Sequence, residues 1–438
     1  MTLINLSLPA IRDGRLDGLP VAIIGAGPIG LAAAAHLVDR GQEFVIYEAG
    51  DQIAESMRSW GHIRLFSPWK HLIDPVAERL LFAADWAKPR YGDTAPTGAE
   101  LVSKYLAPLA GLPAIASRLH TGTTVQAVTR QGMDRTRSTQ RAATPFVLRI
   151  LDSNGTVSEV TARAVIDASG TYTTANSLGS NGLDPLGYAS VADHVTPALP
   201  DVLGAERTRF AGKHITVVGA GHSAANTLIN LATLIQTSPD TRVTWALRNP
   251  NAVRVFTSTE DELADRASLG AKVKKLIDFG VIEVVTGFEI VALSKSGERV
   301  DITGLRAGGL EHITTDLIVN ATGFRPDLDM LREIRLDLDQ VVEAPVRLAP
   351  LIDPNLHSCG TVEPHGFAEL QQPEPNFFIA GMKSYGRAPT FLLATGYEQV
   401  RSVAAYLAGD LASAVAVELV LPATGVCSTD ANAESCCS

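Results

Sequence analysis

The sequence predicts an α/β fold made of two copies of one strand–helix–strand layout. An apolar strand leads into GAGPIG at residues 25–30, and a second apolar strand leads into GAGHSA at residues 219–224. Each copy closes on a further apolar strand that ends in a small residue and a glycine, in DASG at 167–170 and NATG at 320–323. Repetition of a whole layout is harder to obtain by chance than one motif, so two Rossmann-like modules are expected.

Length and charge exclude several classes of protein. The chain has 438 residues, 46% of them hydrophobic, which is enough to bury cores without disulfide bonds. Its net charge of −10 argues against a nucleic-acid surface, which needs clustered basic residues. No stretch has the apolar length of a membrane span or a secretory signal. We therefore expect a cytoplasmic protein that binds neither nucleic acid nor membranes.

The first module has the features of a dinucleotide site. Gly25 allows the tight turn, Gly27 lets the backbone approach a pyrophosphate, and Gly30 lets helix and strand pack closely. Glu48 ends the second strand, where a carboxylate accepts hydrogen bonds from a ribose. A purely structural glycine turn is the alternative, but strand, helix and terminal acid are all present.

The second module repeats the pattern with one informative change. Gly219 and Gly221 are followed by Ala224, and the second strand runs into Arg248 instead of an acid. An arginine there can pair with a 2′-phosphate that a carboxylate would repel, which favours NADPH over NADH. A solvated arginine at a strand end is the alternative.

The remaining strands complete both modules. Strand-like segments around residues 124–162 and 282–305 predict a β-meander in each module. Gly170 and Gly381 each follow an apolar strand, where backbone must pass close to a bound nucleotide. The helix from about residue 392 is predicted to aim its N-terminus, near residues 394–396, at a ring that gains negative charge on reduction. An ordinary C-terminal strand–helix unit is the alternative.

These motifs together resemble the two-dinucleotide-binding flavoproteins, and among them the flavin-containing monooxygenase group. The resemblance runs from about Val21 to Asp410 and includes the segment SMRSWGHIRLFSPW. It implies an FAD site at Gly25, Gly27, Gly30 and Glu48, with Trp60 and Arg64 beside the flavin. It implies an NADPH site at Gly219, Gly221, Ser223 and Arg248.

Two departures qualify the resemblance. After Phe210-Ala211-Gly212 the chain runs through His214 directly into the second glycine loop, without the histidine and aromatic spacing of the full monooxygenase fingerprint. A disulfide reductase of this class needs a cysteine pair beside the flavin, and the body of the chain contains none. Oxygenation is therefore the leading hypothesis, although the first departure weakens it.

The expected organisation is an FAD domain at residues 1–207 and 321–420, an inserted NADPH domain at 208–320, and a tail at 421–438. We expect NADPH to reduce FAD, and the reduced flavin to activate molecular oxygen as a hydroperoxide. That species would oxygenate a small molecule with a soft sulfur, nitrogen or arsenic centre. A metalloid or disulfide reductase and a non-catalytic metalloid-binding sensor are the alternatives.

The tail carries three of the four cysteines, Cys427, Cys436 and Cys437. Soft thiolates favour thiophilic ions such as trivalent arsenic or mercury, so a metalloid site is one interpretation. The terminal pair resembles the end of mercuric reductase, and the segment resembles the C-termini of flavoproteins associated with arsenic resistance. A tail whose thiols bind nothing and a tail that exchanges electrons with the flavin are the alternatives.

Overall fold

The computed structural model describes residues 14–90, 92–249, 264–356, 363–388 and 391–419. The strands in these ranges are β1 Val21–Ile24, β2 Phe44–Tyr47, β3 Leu119–His120, β4 Thr124–Arg130, β5 Phe146–Leu151, β6 Val157–Ala162, β7 Ala164–Asp167, β8 Val195–Pro197, β9 His214–Val218, β10 Arg242–Leu247, β11 Glu283–Thr286, β12 Glu289–Ser296, β13 Arg299–Arg306, β14 Gly309–Thr315, β15 Leu317–Asn320 and β16 Phe377–Ile379.

The α-helices in the same ranges are α1 Pro28–Asp39, α2 Glu55–Ser59, α3 Pro75–Phe82, α4 Gly98–Leu101, α5 Ala107–Ala110, α6 Pro113–Ala116, α7 Arg207–Phe210, α8 His222–Thr237, α9 Ala264–Asp278, α10 Ala349–Ile352, α11 Phe367–Leu370, α12 Leu393–Leu407 and α13 Leu411–Val415. A π-helical turn, Val102–Leu106, joins α4 to α5. In these described ranges, no helix has both the length and the apolarity that crossing a bilayer requires.

The two parallel sheets have equivalent strand orders. The first runs β16-β7-β1-β2-β3 and the second β8-β15-β9-β10-β11. In each sheet the strand before the glycine loop is central, flanked by the strand after the helix and by the closing strand. The predicted α/β fold with two Rossmann-like modules is confirmed.

One edge strand of each parallel sheet comes from a chain segment that lies outside the strand–helix–strand unit of that sheet. β16 reaches the first sheet from the C-terminal part of the chain, and β8 joins the second sheet beside β15. Because β8 lies at residues 195–197, the second sheet begins before the boundary expected at residue 208. The division of the chain into domains remains a prediction.

Both β-meanders are present as three-stranded antiparallel sheets, β4-β5-β6 and β12-β13-β14. The second differs in detail from the sequence expectation. The segment from Glu283 to Ser296 is not one strand, because Gly287 has a φ of +66° and turns the chain between β11 and β12. β11 then joins the parallel sheet, while β14, which was not predicted, completes the meander.

Alternating residues of the first sheet face two different cores. Ile23 and Ile46 pack toward α1 and α12, whereas Ala22 and Val165 pack against the meander side with Phe146. Both faces are therefore buried, as expected for a parallel sheet covered by other layers. This arrangement leaves the carboxyl ends of the strands as the open edge of the sheet.

A charged cluster ties the first meander to the strand β16. The side chain of Glu374 is fully buried and accepts hydrogen bonds from Arg130 Nε at 2.8 Å and Arg141 Nε at 2.9 Å. The guanidinium of Arg130 also lies 3.5 Å from the ring centre of Phe146. Burial alone would raise the pKa of Glu374, but the arginine hydrogen bonds outweigh it and hold that pKa below its usual range.

Removing the carboxylate charge should destabilise this region strongly. Glu374→Gln leaves two buried guanidinium groups without a counter-ion, so we expect a loss of about 3–5 kcal/mol in the free energy of unfolding, measured by urea denaturation. The stabilisation by Glu374 is present above its unfolded pKa and is lost as the pH falls through its folded pKa.

The control is Glu159→Gln. Glu159 pairs with Arg149 on the same meander, but both side chains are more than half exposed. We expect this change to cost less than about 1 kcal/mol. Equal losses in the two variants would contradict a role for the buried cluster.

Candidate dinucleotide sites

Both glycine-rich loops lie at the carboxyl ends of parallel strands. In each sheet the strand order reverses at the central strand, because the chain first adds a strand on one side of it and later adds a strand on the other side. Open α/β sheets bind ligands in the crevice that such a reversal creates. The structure therefore brings each loop next to the segment that ends its own module, residues 167–170 in the first and 320–323 in the second.

The first glycine loop fits closely against its surroundings. Gly25 has a φ of +97°, and a Cβ there would lie 2.8 Å from the carbonyl oxygen of Ala168. A Cβ on Gly30 would lie 1.9 Å from the carbonyl oxygen of Gly25. Gly27, the N-cap of α1, differs, because a Cβ there would meet no protein atom within 4 Å. The crowded glycines hold the turn together, while Gly27 faces open space.

The second loop repeats this geometry. Gly219 has a φ of +129°, and a Cβ there would lie 2.1 Å from the carbonyl oxygen of Ala321. Gly221 is the N-cap of α8, and a Cβ there would meet nothing within 4 Å. Neither α1 nor α8 has a side-chain hydrogen bond at its N-cap. Both helices thus present backbone N–H groups toward an open position.

Glu48 supports the first loop as well as facing the crevice. One carboxylate oxygen accepts from the backbone N–H of Ala26 at 2.7 Å, and the other accepts from Gly50 at 2.9 Å. Each oxygen retains a further lone pair for a hydroxyl donor. Burial is the main influence on this group and raises the pKa of Glu48, despite the two backbone hydrogen bonds.

The glycines after β7 and β16 lie at the same edge. Gly170 has a φ of +74° with open space at the Cβ position. Gly381 has a φ of +71°, and a Cβ there would lie 2.9 Å from the side chain of Ile29 in α1. Gly396, in the first turn of α12, would place a Cβ 2.5 Å from the same side chain. The first turns of α1 and α12 therefore meet, and α12 begins at Leu393, close to the expected residue 392. Whether its N-terminus faces a flavin ring remains a prediction.

A buried ion pair that sequence reasoning missed closes this edge. Lys383 Nζ lies 2.7 Å from Asp167 Oδ2 and 3.1 Å from Ser169 Oγ, and both charged side chains are almost fully buried. The other oxygen of Asp167 accepts from the backbone N–H and the hydroxyl of Ser169. The pair joins the turn after β7 to the turn after β16. Its members are separated by 216 positions, so no local pattern could have linked them.

Arg248 and Ser223 lie on the second crevice. Arg248 directly follows β10, is exposed, and donates through Nη1 to the carbonyl oxygen of Ser180 at 2.8 Å. Ser223 lies in the first turn of α8 and is partly buried. Their roles in binding remain predictions.

Trp60 and Arg64 mainly hold neighbouring chain segments in the structure. Trp60 packs against Gly98, where a Cβ would lie 2.9 Å from the indole ring. The guanidinium of Arg64 donates to the carbonyl oxygen of Ala95. Contact of either side chain with a flavin remains a prediction.

One ring contact joins the segment after Arg64 to the second glycine loop. Phe66, in the segment that follows Arg64, lies with its ring centre 5.1 Å from that of His222. His222 is the first residue of α8, immediately after Gly221. Phe66 also packs against the core of the second module. The segment predicted to lie beside the flavin therefore touches the start of the second nucleotide loop.

The predicted metal ligands Cys427, Cys436 and Cys437 lie outside the described residues, as does Cys359. In the described ranges, no group of three or more histidine, cysteine or carboxylate side chains has the arrangement of a metal site. The metalloid interpretation of the tail therefore remains a prediction.

The family of the chain follows from its match to a family model described as pyridine nucleotide-disulphide oxidoreductase, which covers residues 22–347. No curated protein matches the sequence. The matched region includes both glycine loops and both meanders.

Solved structures share the fold at low identity. Bacillithiol disulfide reductase Bdr from Bacillus cereus has a TM-score of 0.67 and 18% identity, with 89% of this chain and 99% of that chain covered. The cadaverine monooxygenase DfoA from Erwinia amylovora, solved with FAD, has a TM-score of 0.62 and 14% identity over 93% and 99%.

A third solved structure carries both cofactors expected from the sequence. The ornithine N-hydroxylase KtzI from Kutzneria, with reduced FAD and NADP⁺, has a TM-score of 0.57 and 14% identity over 89% and 99%. Reductases and monooxygenases thus share this architecture, and the resemblance to two-dinucleotide-binding flavoproteins is confirmed. The chain belongs to the pyridine nucleotide-disulphide oxidoreductase family and is a flavoprotein oxidoreductase that uses a pyridine nucleotide.

Proposed function

We propose that the protein is an FAD-dependent, NADPH-consuming monooxygenase that oxygenates a small molecule at a soft sulfur, nitrogen or arsenic centre. One observation carries the choice over a disulfide reductase. Residues 1–358 contain no cysteine, and neither do the turn after β16 and the helix α12. Among the residues that the structure describes, no turn at the carboxyl edge of either sheet therefore offers a thiol for electron exchange with a flavin.

The first crevice has the features that FAD requires. In the proposal, backbone N–H groups at the start of α1 bind the pyrophosphate across Gly27, and Glu48 accepts from the ribose. Gly170 and Gly381 let the backbone approach the cofactor from the other side of the crevice. The open Cβ position at Gly27 and the free lone pairs of Glu48 support this assignment.

The second crevice is assigned to NADPH on the same grounds. Gly221 and the first turn of α8, with Ser223, take the pyrophosphate, and Arg248 pairs with the 2′-phosphate. When bound, FAD would accept hydride from NADPH and react with oxygen. The protein's own part is to orient the two cofactors and exclude water, since the proposal assigns no side chain as acid or base.

The direct test is substrate oxygenation with labelled oxygen. The purified holoenzyme is given NADPH, ¹⁸O₂ and one probe at a time, namely thioanisole, trimethylamine or arsenite. We expect NADPH and oxygen to be consumed together and one labelled oxygen atom to enter at least one probe. NADPH oxidation that requires a disulfide and proceeds without oxygen would contradict the proposal and favour a reductase.

The tail thiols provide the second arm of this test. Changing Cys436 and Cys437 together to serine should leave NADPH-dependent oxygen consumption within about twofold, since oxygenation requires no thiol. The same change would abolish turnover in a reductase that presents a disulfide or metalloid on the tail. Loss of turnover with intact reduction of FAD by NADPH would therefore favour the reductase alternative.

Alanine at Gly27 and at Gly221 should each weaken the binding of only one of the two cofactors. Gly27→Ala adds a methyl group where the pyrophosphate must approach, so we expect about tenfold or more weaker FAD binding. Gly221→Ala should raise KM for NADPH by a similar factor and leave FAD binding unchanged. Both positions are free of protein contacts, so the thermal midpoint of the cofactor-free protein should change little. Equal effects of both changes on FAD binding would contradict the assignment.

Removing the guanidinium of Arg248 tests the coenzyme preference. Arg248→Ala should raise KM for NADPH by about tenfold to a hundredfold, the range of a charge-assisted hydrogen bond, and change KM for NADH little. Arg242→Ala is the control, because Arg242 is also exposed but lies at the opposite end of β10. Equal changes in KM for both coenzymes in Arg248→Ala would contradict pairing with the 2′-phosphate.

A further inference from the structure

A fully buried hydrogen-bond relay lies behind the turn after β16. Gln399 in α12 accepts through Oε1 from the backbone N–H of Gly381 at 2.8 Å. Its Nε2 donates to Ser384 Oγ at 2.9 Å and lies 2.8 Å from His365 Nε2. The hydroxyl of Ser384 donates to the carbonyl oxygen of Gly381 at 2.7 Å. Gln399 and Ser384 are both 0% exposed.

The partners of His365 determine its protonation. Nδ1 lies 3.0 Å from the carbonyl oxygen of Glu363, which can only accept, so Nδ1 carries a proton. Nε2 faces the amide nitrogen of Gln399, which can only donate, so Nε2 carries no proton. The relay therefore requires neutral His365, which in turn fixes the orientation of the Gln399 amide. A second proton on His365 would place two donors face to face.

The relay acts on the chain segment that borders the first crevice. Gly381 begins the 3₁₀-helix Gly381–Tyr385, which also carries Lys383. With Gly381 held at both its N–H and its carbonyl oxygen, Lys383 reaches Asp167 and the turn after β7. Gly381 also lies against Ile29, next to the residue that begins α1. The position of the turn Gly381–Tyr385 beside the first crevice thus depends on the orientation of the Gln399 amide.

We propose that Gln399, oriented by neutral His365, is a positioning residue for FAD binding, and that its relay makes FAD affinity fall on acidification. The inference rests on the proposed function only in placing FAD at the first crevice. It assigns His365 no contact with the cofactor. It predicts a pH dependence that comes from the relay and not from general loss of the fold.

The surroundings of His365 favour the neutral form. Burial is the main influence and lowers the pKa of His365 below 6.5, although the nearby carboxylates of Glu369 and Glu398 act in the opposite direction. Glu398 is itself paired with Arg401, and the ring of Tyr385 lies 5.7 Å from that of His365. Affinity that depends on neutral His365 is present above its pKa and declines as the pH falls through it.

The experiment measures Kd for FAD by flavin fluorescence from about pH 4 to pH 8, a range that extends below the ordinary titration range of histidine because burial lowers the pKa of His365. In the wild-type protein we expect Kd to rise about tenfold or more toward the acidic end. His365→Gln retains an acceptor for Gln399 without a titrating ring, so its Kd should be nearly constant with pH. A Kd that is independent of pH in the wild-type protein would overturn the inference while leaving the proposed function intact.

Gln399→Glu gives the sharpest outcome. One oxygen of the introduced carboxylate would still accept from the N–H of Gly381. The other oxygen and His365 Nε2 are both acceptors, so they can form a hydrogen bond only if they share a proton. That proton is lost as the pH rises, so the profile should invert, with weaker FAD binding at alkaline pH. A merely structural role would weaken binding at all pH values, and that uniform loss would also overturn the inference.

Two control variants address general effects of charge and of histidine titration. Gln371→Glu adds the same charge at a partly exposed site beside Arg347, and His312→Gln removes an imidazole from the second meander. Both should reproduce the wild-type profile. A flattened or inverted profile in either control would overturn the inference. If neither the wild-type protein nor any of these variants binds FAD at any pH, both the inference and the proposed function fail.

Discussion

The close approach of two backbone segments in each module is the constraint on which the rest of the structure depends. Gly25 contacts the backbone after β7, and Gly219 contacts the backbone after β15 in the same way. No side chain fits between the two backbone segments, so each glycine loop must contact the segment that ends its module, residues 167–170 or 320–323. This contact sets the position of the helix that follows and leaves its first N–H groups facing the crevice.

Two further contacts turn the first crevice into a single surface. Ile29 is held between Gly381 and Gly396, which brings the first turns of α1 and α12 together. The buried pair of Lys383 and Asp167 then joins the two turns on the other side. Such a pair is costly to bury, and removing one partner would leave an uncompensated charge. The turns around this crevice are therefore fixed relative to one another.

The features that sequence reasoning predicted are those with a local pattern. Glycine spacing, apolar strands and the repeated closing phrases lie within short segments, and each reflects a backbone requirement that only certain residues meet. Lys383 with Asp167, and His365 with Gln399, are joined only by the fold, and their spacings carry no signal. The strand-like pattern from residue 282 shows no break at Gly287, because apolar residues continue on both sides of it, although its positive φ ends β11. The place of β8 in the second sheet depends on pairing between distant segments, which no pattern within residues 195–197 reveals.

In the proposed function, the two dinucleotide sites form one electron-transfer unit, in which NADPH reduces FAD. Anaerobic titration of the purified holoenzyme with NADPH, followed by visible absorbance, measures this electron transfer. We expect about one FAD per chain and full loss of the oxidised flavin absorbance with one equivalent of NADPH, since one hydride carries the two electrons that FAD accepts. A protein that holds no flavin, or a bound flavin that NADPH does not reduce, would contradict the proposed function.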